Sequence, residues 1–105
     1  MSKNKIWELL VYQLEEGTGA EFRRIMMEES LPLHDRKGMK IIRSMQSLHD
    51  PDSYVLIREY ENLKQLEESQ DKFYHDPDWI EGPREKIIRL IQTSSKYVVP
   101  AGLIN

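Results

Sequence analysis

Residues 6–14, Ile-Trp-Glu-Leu-Leu-Val-Tyr-Gln-Leu, form a short run rich in β-branched, aromatic and aliphatic side chains. That length and composition predict a strand. Trp7, Leu9 and Val11 fall in one alternating set and Ile6, Leu10 and Tyr12 in the other, the pattern of a strand covered on both faces. Gly17-Thr18-Gly19 punctuates the chain, and helical spacing follows from Ala20 to about Lys37, with Phe22, Ile25, Met26, Glu29 and Leu33 on one stripe. Thr18 or Gly19 can cap its start. Pro32, which lacks an N–H, predicts a kink or restart, and Gly38 a stop. Met39–Leu48 and Ser53–Glu61 predict the second and third strands, joined by the turn His49-Asp50-Pro51-Asp52 and so paired as an antiparallel hairpin. Asn62 caps a helix to about Tyr74, with Leu63, Leu66, Ser69, Gln70 and Phe73 on its inner stripe. Asp76-Pro77 opens another helical segment, which carries Trp79, Ile80, Ile87, Ile88 and Ile91 and breaks near Gly82-Pro83. Thr93–Val99 is the last strand, closed by Pro100 and followed by a short tail to Asn105.

The order is strand, helix, strand, strand, helix, helix, strand. It predicts an α+β fold of the ferredoxin-like βαββαβ type, with an extra helix before the last strand and a four-stranded antiparallel sheet. The helices of such a fold cover one face of the sheet, whereas strands one and three are apolar on both. The second face then exposes a large apolar patch unless another copy covers it. The expectation is a homodimer packed through its sheet faces, with an isologous interface.

Composition narrows the classes. At 105 residues the chain matches one domain over 1–105. Fifteen basic against 18 acidic side chains give a net charge of −3, which speaks against a nucleic-acid partner. The absence of cysteine removes disulfide scaffolds, zinc–thiolate sites, iron–sulfur clusters and cysteine nucleophiles. No apolar run approaches the length of a membrane span, and the start Met1-Ser2-Lys3-Asn4-Lys5 leads into no long apolar segment or small-residue cleavage site. The expectation is a cytoplasmic protein without a membrane partner.

At several points the chain resembles the NIPSNAP family. Trp7-Glu8-Leu9-Leu10-Val11-Tyr12 is similar to that family's opening Tyr-Glu-Leu-Arg-x-Tyr strand, and Leu31-Pro32-Leu33 with Arg36-Lys37-Gly38 to its first helix end. Tyr54–Leu63 is similar to its third strand, and Asp76-Pro77-Asp78-Trp79 to its Asp-Pro-x-Trp element. The resemblance runs from about Ile6 to Pro100. It implies the dimeric α+β barrel, a superfamily that also holds cofactor-independent monooxygenases, haem-degrading enzymes and lactone or dehalogenation enzymes; the fold alone selects none of these. Trp7 and Leu10 depart from the family's tyrosine and arginine. Arg43 and Arg58 are the residues that can bring a charge to the same cavity instead.

Candidate chemistry is sparse. Tyr12, Tyr54, Arg58 and Tyr60 share strand parity with Glu8 and so project from one sheet face. They either bind a small hydrophobic or aromatic ligand, with Trp79 as a gate or core ring, or fill the dimer interface. His34 lies beside the helical stripe and reads either as a pocket residue, a general base or haem ligand, or as a positive partner for its helix C-terminus. With Tyr12 and Arg58 it forms the candidate catalytic set. The repeated His-Asp-Pro-Asp at 49–52 and 75–78 has metal-ligand chemistry, but turn and helix-start geometry accounts for both copies. No metal and no cofactor are expected, since no nucleotide, metalloprotease or hydrolase motif occurs. Three functions follow: a NIPSNAP-like small-molecule-binding domain, a cofactor-independent monooxygenase or related enzyme acting on an aromatic or hydrophobic substrate, and a structural dimer without a ligand.

Overall fold

The computed structural model describes residues 4–102; the sequence start at 1–3 and the tail at 103–105 lie outside the described residues. Strand β1 is Ile6–Leu14, as its apolar run predicts. A helical stretch follows, with α1 over Gly19–Ile25, a π-turn over Met26–Ser30 and α2 over Leu31–Arg36. Strands β2 (Lys40–Gln46) and β3 (Ser53–Tyr60) form the hairpin. Helix α3 (Leu63–Tyr74), the short α4 (Pro77–Ile80) and α5 (Arg84–Leu90) lead to β4 (Ile91–Pro100). The sheet order is β2-β3-β1-β4 with every pairing antiparallel, the ferredoxin-like arrangement.

The two central strands set the faces. Glu8 stands opposite Arg58, Leu10 opposite Leu56 and Tyr12 opposite Tyr54. This set lies under the helices, where Leu10, Leu56 and Tyr54 join Phe22, Ile25, Met26 and Leu33 in the core. The other set, Trp7, Leu9, Val11, Val55 and Ile57, shares the open face with Tyr97 and Val99 of β4. That face has no covering layer among the described residues, and Val11 and Tyr97 are exposed.

Local chemistry explains the element ends. Pro32 removes one ladder donor, and the π-turn absorbs the loss: the Leu31 amide donates to the Met26 carbonyl, and the helix restarts at Leu31. At the other end Gly38 adopts φ 75°. Its amide donates to Asp35 O at 3.1 Å and the Met39 amide to His34 O at 2.9 Å, a Schellman stop that fixes the turn carrying His34. Asn62 caps α3 by accepting from the Gln65 amide at 2.8 Å. Leu63, predicted on the inner stripe of α3, is exposed, because the first residue after the cap points away from the sheet. Ile88 also faces outward on α5, and Ile91, read with that helix, begins β4.

The first His-Asp-Pro-Asp copy joins the hairpin to α1. Asp52 accepts from the Gly17 amide at 2.8 Å and the Gly19 amide at 2.9 Å, so a residue from the turn caps the helix that Thr18 leaves without a side-chain cap. Gly19 packs so closely that a Cβ there would lie 1.7 Å from the Pro51 carbonyl oxygen. Gly19→Ala therefore pushes α1 off the turn and breaks the Asp52 cap. A cost of about 2–3 kcal/mol is expected, read as a melting midpoint roughly 10 °C lower.

Candidate functional site

A polar group sits at the centre of the core, between the sheet and the helices. Glu8 and Arg58 are both buried and face each other across β1 and β3. Arg58 donates to Glu8 Oε1 from Nε at 2.8 Å and pairs with the same oxygen through Nη2 at 2.7 Å. Arg58 Nη1 donates to the Tyr74 hydroxyl at 2.9 Å and contacts His34 Nε2 at 3.0 Å. On its far side Glu8 accepts from Gln70, from the Tyr60 hydroxyl at 3.4 Å and, through Oε2, pairs with Lys96 at 3.4 Å. Burial works against the Arg58 charge, but Tyr74, Tyr60 and Glu8 outweigh it and hold the guanidinium protonated.

The partners of His34 determine its tautomer. Nδ1 lies 2.8 Å from the Ser30 carbonyl oxygen, which can only accept, so Nδ1 carries the proton. Nε2 then accepts from Arg58. Burial lowers the pKa of this ring from 6.5 to about 4, with Arg58 adding to the drop against the opposing Ser30 hydrogen bond. A neutral, inward-facing ring is not a positive partner for the helix C-terminus. Both of its nitrogens are engaged, so in this arrangement neither is open to take a substrate proton or ligate a metal.

Beside this group a cleft of about 400 Å³ opens to the surface between α4, α5 and the sheet. Tyr12, Tyr74, Trp79 and Ile87 line it, with Arg84, Ile88 and Ile91 toward its mouth. The same four residues also line a smaller void of about 20 Å³, together with Arg58, His34 and Ser30. Trp79 packs its ring on Phe73 and Tyr74, at centroid distances of 5.4 and 5.3 Å. Its position follows from the second His-Asp-Pro-Asp copy: Asp76 accepts from the Asp78 amide at 2.8 Å and starts α4, while Lys37 pairs with Asp76 and Asp78 at 3.0 and 2.9 Å.

The structure thus brings together Tyr12, His34, Arg58 and Trp79. It keeps Tyr54 and Tyr60 apart from them. Tyr54 is hydrogen-bonded to Ser44 at 2.6 Å and packed edge-on against Phe22 at 5.1 Å. Tyr60 lies beyond Glu8, where burial pushes its phenol up to about 12. Leu10, at the family's arginine position, pairs with Leu56 on the same face, so the guanidinium of this cavity comes from Arg58, one rung along. Arg43 is on the open face, where its guanidinium returns to the Ile42 carbonyl at 2.8 Å. Strand parity places Glu8 on this face, but neither its pairing with Arg58 nor the position of Tyr74 is carried by the sequence pattern. Among the described residues no group of three or more His, Asp or Glu side chains is placed to hold a metal ion, and no helix is long and apolar enough to cross a membrane.

No protein-family model and no curated protein matches the chain. Solved structures do. An uncharacterized NIPSNAP-like domain protein from Burkholderia xenovorans superposes with a TM-score of 0.86 at 18% identity, covering 98% of this chain and 90% of that one. A NIPSNAP family protein from Agrobacterium tumefaciens gives 0.83 at 19% identity, over 90% of both chains. A putative antibiotic biosynthesis monooxygenase from Nitrosomonas europaea gives 0.67 at 12% identity, over 100% of this chain and 97% of that one. The fold is that of these NIPSNAP structures, as the sequence resemblance implies.

Proposed function

We propose that this chain is a NIPSNAP-type homodimeric domain that binds a small aromatic or hydrophobic molecule in the cleft beneath Trp79. The observation that carries the reading is the cleft itself, an aromatic and aliphatic passage leading to a few convergent polar groups at its base. Small-molecule sites have that make-up. Binding is favoured over proton abstraction because His34, the one histidine at the site, has both nitrogens engaged within the protein. A second reading, a cofactor-independent monooxygenase, draws on the likeness to the Nitrosomonas europaea structure. It requires substrate-dependent dioxygen uptake without added metal or flavin. Native mass spectrometry of the purified protein tests the main reading: a dimer carrying one small molecule per subunit supports it, and a monomer with no retained or added ligand overturns it.

The dimer is proposed through the open sheet face, where Trp7, Leu9, Val11, Val55 and Ile57 form a contiguous apolar layer. A second copy of that face covers it with a self-complementary surface. Leu9→Asp places a charge in the middle of this layer, outside the helix-covered core. The expected result is a folded monomer by light scattering, with unchanged far-ultraviolet circular dichroism. A dimer that persists at the wild-type concentration rules out this face as the interface.

A further inference from the structure

Two hydroxyls at the cleft have donor capacity that the protein does not use. The Tyr74 oxygen accepts from Arg58 Nη1, and among the described residues its own O–H has no acceptor. The Tyr12 hydroxyl has no hydrogen-bond partner among the described residues. No side-chain nitrogen or oxygen is sealed away without a partner there, so the Tyr12 oxygen is reached from the cleft that its ring lines. Both rings line the outer cleft and the inner void, and Tyr74 is close enough to Tyr12 to influence its phenol. Burial and the neighbouring Tyr74 raise the Tyr12 phenol above its ordinary value, so it stays a donor throughout the neutral range. The Arg58 guanidinium that donates to the Tyr74 oxygen polarises that hydroxyl, since a phenol that accepts from a cation becomes a stronger hydrogen-bond donor.

We infer that the cleft takes a neutral, planar aromatic molecule bearing a carbonyl oxygen, which the Tyr12 and Tyr74 hydroxyls hold as paired donors. This rests on the binding reading above and specifies its ligand class. Two donors with no acceptor select an acceptor atom. The ring of the ligand lies along Trp79 and Ile87, which form the apolar walls. Neutrality follows from the charges already present: Glu8 matches Arg58 at the base, and Arg84 at the mouth is engaged with Glu85 at 2.6 Å. A carboxylate buried here would lose its hydration without gaining an unpaired cation.

The test uses the full chain with two probes of the same shape, 2-acetylnaphthalene and 2-isopropenylnaphthalene, which differ in the carbonyl oxygen. Titration calorimetry is run on the wild type, Tyr12→Phe and Tyr74→Phe. Each substitution is expected to weaken the ketone by about fivefold to tenfold, the effect of one hydrogen bond, and to leave the hydrocarbon within about twofold. Equal changes for both probes, or none for either, overturn the inference while leaving the cleft as a binding site. Failure of both probes to bind the wild type overturns the inference and the binding reading together. Tighter binding of 2-naphthoate than of the ketone also overturns the inference, in favour of an anionic ligand. Tyr12→Phe removes no hydrogen bond among the described residues, so it carries the test even if Tyr74→Phe loses stability with its Arg58 contact.

Discussion

Replacing Arg58 by methionine is expected to destabilise the fold by about 3–5 kcal/mol, the cost of leaving one member of a buried ion pair behind. Glu8 is fully buried, and both of its strong contacts on Oε1 come from this guanidinium. The same substitution leaves His34 Nε2 and the Tyr74 oxygen without their donor. Gln70 and Lys96 still reach the other carboxylate oxygen, but Lys96 approaches from a half-exposed position and supplies only part of the lost charge. Small domains have about 5–15 kcal/mol of net stability, so Arg58→Met removes a large share of it and lowers the urea midpoint accordingly. The pair, rather than the bulk of the side chain, is the cause. The double variant Arg58→Met with Glu8→Leu should therefore recover much of the loss, because a well-packed apolar pair often matches a buried ionic one. A single variant within about 1 kcal/mol of wild type would contradict this placement of the pair, since truncating one side of it always costs more.

The strands were legible in the sequence because their apolar runs are short, β-branched and bounded by turn residues. β1 matches its predicted limits, and Asn62, Asp76 and Gly38 act at the helix ends where their chemistry places them. β4 was harder to delimit. It is an edge strand, exposed over Gln92–Val98, and so carries little hydrophobic pattern. Parity placed Glu8, Tyr12 and Arg58 on one face, but the Glu8–Arg58 pairing depends on the register of β1 against β3. These strands are not consecutive, so no turn length fixes that register. The role of Tyr74 is not legible in the sequence for a related reason. This residue follows Phe73 at the last position of α3, off the helical stripe, and gains its role only when α3 lies across the sheet next to Arg58. The break at Pro32 was visible, whereas its resolution as a π-turn was not. That turn matters for the site because Ser30, its last residue, holds the His34 ring.

The second large effect is a loss of stability on acidification through a window assigned to His34. Burial lowers its pKa in the folded protein to about 4, against 6.5 for the free side chain. Above pH 6.5 the ring is neutral in both states and contributes no pH dependence. Between 6.5 and 4 the unfolded chain takes up a proton that the folded protein refuses, so stability falls as pH falls. Below 4 both states are protonated and the loss is complete. At about 1.4 kcal/mol per pH unit of displacement, the total is roughly 3 kcal/mol. The carboxylates held below their ordinary values, Asp50, Asp76 and Glu59, act in a more acidic range, where their hydrogen-bonded ionised forms are lost. The upper part of the window therefore belongs to His34. Urea unfolding at half-unit steps from pH 7.5 to 4 should show the decline in the wild type. In His34→Gln, whose neutral amide keeps an acceptor for Arg58 without titrating, the curve should be flat from 6.5 down to the carboxylate range. An equal slope in both proteins would assign the proton uptake elsewhere. It would also remove the argument that a neutral His34 is locked between Ser30 and Arg58, and with it the ground for preferring binding over proton transfer at this site.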